Sequence, residues 1–431
     1  MDIEQKAKQA KAASIHLATV SATQKDEALD NIARTLLARK DEIINANHLD
    51  LAKAKADNLA PPLLKRLNFD KSKIQEACEG LESLRGLPDP VGQTLRAIEL
   101  DDGLELYKVS CPIGVIGVVF ESRPDALVQI SSLCLKSGNA VLLKGGAEAT
   151  NTNKILADLI SNATEQTKIP HGWLGLMETR TDLQEMLGMD PFIDLIIPRG
   201  SNTFVKYIMD HTRIPVLGHA DGICHVYIDR EADLAMAEAI TVDSKCQYVS
   251  VCNAAETLLV HAGVAQDFLP GVQAALAAHN VEIRGCAQTA NYIDVIPATE
   301  TDWQTEYLDY ILSIKIVETL EQAIDHINRY GSGHTDVIVS QDKQRADIFM
   351  GLVDTADVML NCSSRFSDGF RYGLGAEVGI STNKIHARGP VGMEGLMIYQ
   401  WRLIGNGHIV SDYTGQGSKP FMHKPIQREI K

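Results

Sequence analysis

The sequence predicts an α/β protein of two lobes, each a parallel sheet covered by helices, with a small β arm. Three observations predict it. From Pro112 onward, short apolar runs alternate with helical patterns: IGVIGVVF, AVLLKGG, FIDLIIPRGS and ICHVYID. Continuous β-rich runs bounded by Gly and Pro mark strands buried on both faces, and their alternation with helices points to parallel strands. After Asp229 the pattern returns in AETLLVHAG, VEIRG, TDVIVSQD and ADVMLNC. At 431 residues the chain also exceeds a single core, since domains run to roughly 100–200 residues.

The elements follow in order. The first ninety residues read as helices. Thr23 and Asp26 have capping-box spacing, and Leu29, Ile32, Ala33, Leu36 and Leu37 mark one apolar face. Leu63, Leu64, Leu67, Ile74, Ala77 and Leu81 mark a second helical run, closed by Pro88 and Pro90. Over 94–111 the text alternates, and Asp102-Gly103 sits between the two halves as a hairpin turn. So early a ribbon has few neighbours to pair with, and another subunit is its expected partner. The polar, Gly-rich tail from Gly405 to Lys431 reads as an arm. The expected boundaries are 1–222 for the first lobe with the 94–111 arm, 223–395 for the second lobe, and 396–431 for the tail.

Composition narrows the function. A net charge of −15 argues against a nucleic-acid partner, which demands a basic face. No run approaches the roughly 20 apolar residues of a membrane span. The start, MDIEQKAKQAKAASIHLATV, lacks the apolar core and cleavage site of a signal peptide, so the cytoplasm is the expected compartment. The cysteines at 78, 111, 134, 224, 246, 252, 286 and 362 form no CxxC pair and no zinc-like spacing with histidines. Neither a metal site nor disulfides are expected. A GxGxxG fingerprint between strand and helix is absent, so a dinucleotide would have to be held by another route.

Three segments in order, PIGVIGVVFESRPD with AVLLKGG, then IIPRGSNTFVKYI, then VCNAAETLLVH, resemble the aldehyde-dehydrogenase superfamily over nearly the whole chain. Within it, VETLEQAIDHINRYGSGHTDVI (317–338), RFSDGFRYGLGAEVGISTNKIHARGPVG (365–392) and PDPVG near residue 90 are similar to the gamma-glutamyl phosphate reductase family. The resemblance implies an aldehyde-dehydrogenase-like fold with a cofactor-binding lobe, a catalytic lobe and a small β oligomerisation element. It implies NADPH-dependent reduction of L-glutamyl 5-phosphate to L-glutamate 5-semialdehyde and phosphate, the second step of proline biosynthesis from glutamate. A homodimer or homotetramer follows, with glutamate 5-kinase as a candidate partner that supplies the acyl phosphate.

The resemblance also assigns residues. Cys252, in Cys252-Asn253-Ala254, takes the place of the nucleophile. Acyl transfer through a thioester suits a cysteine whose pKa falls below about 8.5. Cys252 is expected at the start of a helix, whose N–H groups and dipole would favour the thiolate. Cys246, the obvious rival, is read as incidental. Lys144 would lie beside the adenosine ribose, with Gly145 allowing close approach. Ala147 stands where NAD-preferring relatives place a carboxylate, which favours NADP although Glu148 lies next door. Gly200 and Ser201 open the helix NTFVKYIMDH on the nicotinamide side, a seat for phosphate. Glu306 would hold the nicotinamide ribose.

Departures from the superfamily indicate the reaction. Hydrolytic relatives carry a water-activating glutamate where LGHADG places His219, so thioester hydrolysis loses its usual base. Phosphate must then make or break the thioester. Ser122 stands near the usual oxyanion asparagine, and Asn253 or backbone N–H groups are alternative donors. Arg123, Arg365 and Arg371 are candidates for the phosphate and amino-acid head group, with Ser122 beside them. His386 and Arg388 read equally well as turn residues.

Overall fold

The computed structural model describes residues 2–429 except 122 and 376, and leaves the side chains of Pro62 and Arg180 undescribed. Its strands are, in order, β1 (Thr94–Asp101), β2 (Leu104–Pro112), β3 (Val115–Phe120), β4 (Ala140–Gly145), β5 (Leu174–Met177), β6 (Leu195–Arg199), β7 (Cys224–Ile228), β8 (Ala255–His261), β9 (Glu282–Gly285), β10 (Ile296–Pro297), β11 (Ile311–Val317), β12 (Thr335–Val339), β13 (Asp357–Leu360), β14 (Gly379–Ser381), β15 (Gly389–Val391), β16 (Met397–Ile404) and β17 (Lys424–Pro425). Two compact units divide the chain. One holds Met1–Gly200, Ile208–Val216 and Gly392–Lys431, the other Ser201–Tyr207 and Leu217–Val391. The main division thus falls at 216/217 rather than 222/223, and the C-terminal segment belongs to the first unit.

The first unit opens with five helices, Ile3–Leu17, Ala22–Ala38, Lys40–Ala56, Pro61–Leu67 and Lys71–Gly86. Ser21 and Gln24 form the capping box, not Thr23 and Asp26, because Ser21 is the last extended residue. Asp26 instead pairs with the buried Lys136 at 2.6 Å. Asp89, in the PDPVG stretch, pairs with the fully buried Lys25 at 2.6 Å. The second helical run breaks at Asn68, and Asp70 caps the new helix by accepting from Lys73 N at 3.1 Å.

The hairpin turns at Gly103, whose φ of +73° suits a glycine. Within the chain its neighbours are β16 and β17. The antiparallel order is β16-β2-β1-β17, and β16 pairs with β2 from Met397↔Pro112 to Ile404↔Glu105. The buried Asn139 amide ties this segment down by donating to Leu396 O at 2.9 Å.

The unit's parallel sheet runs β5-β4-β3-β6. The chain builds outward from β3 to β5 and then returns to the other side of β3. Ligands of open α/β sheets bind outside the carboxyl ends of strands at such a reversal. Here Phe120 pairs laterally with Gly145 and with Arg199, and Glu121 N donates to Arg199 O at 3.0 Å.

The second unit is a parallel sheet in the order β10-β9-β11-β8-β7-β12-β13. One face buries Val226, Ile228, Leu258, Val260 and Val337 against Phe268, Leu269 and Val272 of the helix Ala262–Ala277. The other buries Tyr227, Leu259 and Ile338 against Leu320, Ile324 and Ile327 of the helix Leu320–Tyr330. Successive residues serve opposite faces, which is why these strands read as continuous apolar runs. Among the described residues, no helix is long and apolar enough to cross a membrane.

Candidate active site

The second unit gathers its reactive side chains at the amino-terminal edge of its sheet. Cys224 pairs laterally with Ala255, and His225 with Asp336, so β8, β7 and β12 begin side by side. The residues just before them therefore meet: Gly222, Cys252 to Ala254, and His334. Donor atoms of His219, Cys252 and His334 all lie within 4.8 Å of one another.

Cys252 does not start a helix. The helix Leu234–Cys246 has already ended, and Cys252 lies on a turn that leads into β8. The thiol therefore draws nothing from a helix of its own. A cation that couples to it is Arg365, which is 8% exposed and donates through Nε to the neutral Gln247 Oε1 at 2.9 Å. Burial holds the Arg365 pKa below its usual value and the charge of Arg371 adds to this, while attraction to Cys252 opposes it. That attraction is mutual, so Arg365 favours thiolate at Cys252.

Asn253 is engaged in building the turn. Its Nδ2 donates to Ser367 O at 2.7 Å, and its carbonyl accepts from Ser364 Oγ at 2.7 Å. These bonds fasten the Cys252 turn to the 364–367 segment that carries Arg365. Asn253 Oδ1 is buried with no hydrogen-bond partner. Arg371 is exposed, donates to Arg365 O at 2.7 Å and faces Asp368 at 3.6 Å. His386 is exposed, whereas Arg388 is partly covered and pairs with Asp354 at 3.1 Å.

The loop before β7 is anchored on several sides. Thr382 N donates to Gly218 O at 3.3 Å, and Asn202 Nδ2 reaches Asp221 Oδ1 at 3.0 Å. His219 Nδ1 lies 2.9 Å from Ile380 O, and because a carbonyl only accepts, Nδ1 carries the proton. Glu306 accepts from Asn202 Nδ2 and from Gly222 N. Burial raises the Glu306 pKa, so this carboxylate is shielded and already hydrogen-bonded on the loop. Ser201 immediately precedes the helix Asn202–His211, and its carbonyl accepts from Val205 N at 2.9 Å.

Three groups here escaped the sequence reading. His334 is fully buried, with Nδ1 at 2.8 Å from Thr335 Oγ1 and Nε2 without a hydrogen-bond partner. Burial, with His219 adding to it, pushes its pKa well down, so the ring is neutral. Cys224 is also fully buried, and burial raises its thiol pKa well above the usual value; its Sγ donates to Cys252 O at 3.1 Å. Lys245 and Glu256 form a fully buried ion pair at 2.6 Å, and burial pushes Glu256 up to about 7. The signal for His334 was its place in RYGSGHTD; nothing local marked the other two. Cys246 is half-buried at a helix end, its thiol pKa raised by burial.

In the first unit, Lys144 ends β4 largely buried and donates through Nζ to Gly145 O. A Cβ on Gly145 would strike the Asn153 amide, and one on Gly146 the Glu148 carboxylate. These glycines thus make room for the chain's own side chains, a different reason from close approach to a ligand. Ala147 opens a short 3-10 turn and brings no carboxylate, although Glu148 folds over Gly146. Lys144, buried beside the strand reversal, is placed where such a sheet holds a dinucleotide. Gly200 follows β6 at the same edge. Arg123 precedes the helix Pro124–Lys136 and pairs with Asp125 at 3.3 Å. Ser122 lies outside the described residues.

Comparison with known proteins agrees with this architecture. The aldehyde dehydrogenase family matches residues 1–291. The chain is 62% identical over 430 residues to the gamma-glutamyl phosphate reductase of Acetivibrio thermocellus, covering 100% of both. It is 60% identical over 429 residues to that of Pelotomaculum thermopropionicum, covering 100% of this chain and 99% of the relative. The crystal structure of gamma-glutamyl phosphate reductase from Thermotoga maritima matches with a TM-score of 0.93 at 39% identity, over 95% of this chain and 100% of that one.

Proposed function

We propose, for a chain that belongs to the aldehyde dehydrogenase family and within it to the gamma-glutamyl phosphate reductases, that Cys252 carries the acyl group during reduction of L-glutamyl 5-phosphate. The product is L-glutamate 5-semialdehyde with release of phosphate, the second step of proline biosynthesis from glutamate, in the cytoplasm. The observation that carries the reading is the grouping of Cys252 with two imidazoles, one of them where hydrolytic relatives keep a glutamate.

The Cys252 thiolate attacks the acyl carbon, the bond to the phosphate oxygen breaks, and phosphate leaves with that electron pair. Arg365, buried without a carboxylate partner among the described residues, stabilises both the thiolate and the departing phosphate. Arg371, fixed on the Arg365 carbonyl, extends the same basic surface. NADPH, when bound, supplies the hydride that reduces the thioester carbonyl. Lys144 and the Gly145 turn would hold its adenosine end, Gly200 and Ser201 its phosphates, and Glu306 its nicotinamide ribose. With His219 in place of the carboxylate, thioester hydrolysis loses the base that hydrolytic relatives use. The thiohemiacetal then collapses, the carbon–sulfur bond breaks, and Cys252 is regenerated.

The assembly we propose is a homodimer or homotetramer built on β16. This strand lies at a sheet edge and exposes Tyr399, Trp401 and Leu403 on one face and Ile398 and Ile404 on the other. Because acyl phosphates hydrolyse in water, glutamate 5-kinase is the proposed supplier. The mechanism is tested by mixing enzyme with the acyl phosphate without NADPH and mapping the acylated peptide. Label on Cys252 is expected; label on Cys246 alone, or none, would overturn the assignment.

A further inference from the structure

We infer that His219, Cys252 and His334 form a binding site for a zinc-class divalent ion, and that an ion held there shuts the enzyme down. The inhibitory half rests on Cys252 being the nucleophile; the binding half does not. One thiolate and two imidazoles make a soft to borderline donor set, suited to Zn²⁺ and unsuited to Mg²⁺ or Ca²⁺, which take oxygen ligands.

The three donors come from separate segments, the loop before β7, the turn before β8 and the residue before β12, and all lie within 4.8 Å of one another. Tetrahedral zinc, with bonds of about 2.0–2.3 Å, spaces its ligands by roughly 3.5 Å. Closing that difference falls to side-chain rotation of the partly exposed Cys252 and His219 about the buried His334. The rings stand at 81° to each other with centroids 4.9 Å apart, so they do not stack over the space between them.

Each imidazole also has the support that metal-bound histidines use. His219 Nδ1 donates to Ile380 O, which fixes the tautomer with an unprotonated Nε2. His334 is held through Nδ1 by Thr335 Oγ1 at 2.8 Å, and its buried Nε2 has no hydrogen-bond partner. Cys252 and His219 are half-exposed, which leaves an entry path and room for water at a fourth position. Binding replaces the thiol proton by the ion, releasing one proton to solvent with no change of oxidation state. The sulfur lone pair is then committed to the metal and cannot attack an acyl carbon. The Arg365 charge, coupled to Cys252, opposes a second cation there.

The test is titration of the full-length protein with Co²⁺, following thiolate-to-cobalt charge-transfer absorption, with turnover measured alongside under Zn²⁺. The expected result is one ion per chain, absorption displaced by Zn²⁺, and turnover lost with Zn²⁺ and restored by chelator. Cys252→Ala should abolish the absorption. His334→Ala and His219→Ala should each weaken binding by roughly 100-fold or more. His219 lies on a half-exposed loop, so its variant keeps the test alive if the buried His334→Ala does not fold. No charge-transfer band in the wild type, or a band unchanged in Cys252→Ala, would overturn the site. A Cys252-dependent band with turnover untouched by Zn²⁺ would keep the ion site and instead remove Cys252 from the reaction.

Discussion

Gly222 lies against the backbone of Cys252, where a Cβ at residue 222 would collide with the Cys252 carbonyl oxygen and Cα. The loop that carries His219 is thereby the support for the turn that carries the thiol. Gly222→Ala should displace that turn and lower kcat by about 10–100-fold, since a misplacement near 1 Å costs on that order. NADPH affinity, measured by fluorescence, should change little. An unchanged kcat would show that the contact does not position Cys252.

Cys252→Ala should abolish turnover and leave NADPH binding largely intact. Cys246→Ala should keep activity within about twofold, because that half-buried thiol is held protonated by burial. Steady-state rates beside a binding titration decide both. Wild-type turnover in Cys252→Ala would remove the covalent mechanism.

Arg365→Ala should raise the KM for phosphate in the reverse direction and slow alkylation of Cys252 by iodoacetamide at neutral pH. Each effect should be about tenfold or more, the worth of a charged hydrogen bond of about 1.5–3 kcal/mol. Arg365→Lys should recover part of both, since a lysine keeps the charge and loses the fork. Alkylation at the wild-type rate in Arg365→Ala would mean that the thiolate is favoured by another group.

How legible this site was depends on the range of the interactions that build it. Strands such as AVLLKGG and TDVIVSQD were visible because both their faces are buried, and Asp102-Gly103 because turn chemistry is local. Cys252 was found through its flanking residues, but its helix was not there. The stretch NAAE suits a helix, and lateral pairing of Ala255 with Cys224 overrides that preference. His334 meets Cys252 only because β12 is laid beside β7, a pairing without a local signature. The hairpin's partner strand within the chain was missed for the same reason: β16 lies nearly three hundred residues beyond β2.

Glu256 gives stability a pH dependence. Burial raises its folded-state pKa from 4.5 to about 7, so folding favours the protonated form. The contribution is full below about pH 4.5 and is lost as pH rises to about 7. It amounts to at most about 3 kcal/mol. Urea unfolding across this window should show the decline in the wild type and not in Glu256→Gln. Parallel slopes in both proteins would assign the decline to other groups.

The exposed apolar face that carries Trp401 and Leu403 on β16 predicts its own disruption. Trp401→Asp with Leu403→Asp should shift sedimentation from the oligomer to the monomer, because charges on an apolar strand edge oppose pairing. Sedimentation unchanged by both substitutions would place the interface elsewhere.

The acyl-phosphate chemistry is tested most directly in reverse, with pyrroline-5-carboxylate, the cyclised form of glutamate 5-semialdehyde, and NADP⁺ supplied with and without inorganic phosphate and NADPH formation followed. The account predicts NADPH formation that depends on phosphate, because the carboxylate base that hydrolytic relatives use against the thioester is replaced by His219. NADPH formed equally fast without phosphate would contradict it and make the enzyme a hydrolytic dehydrogenase.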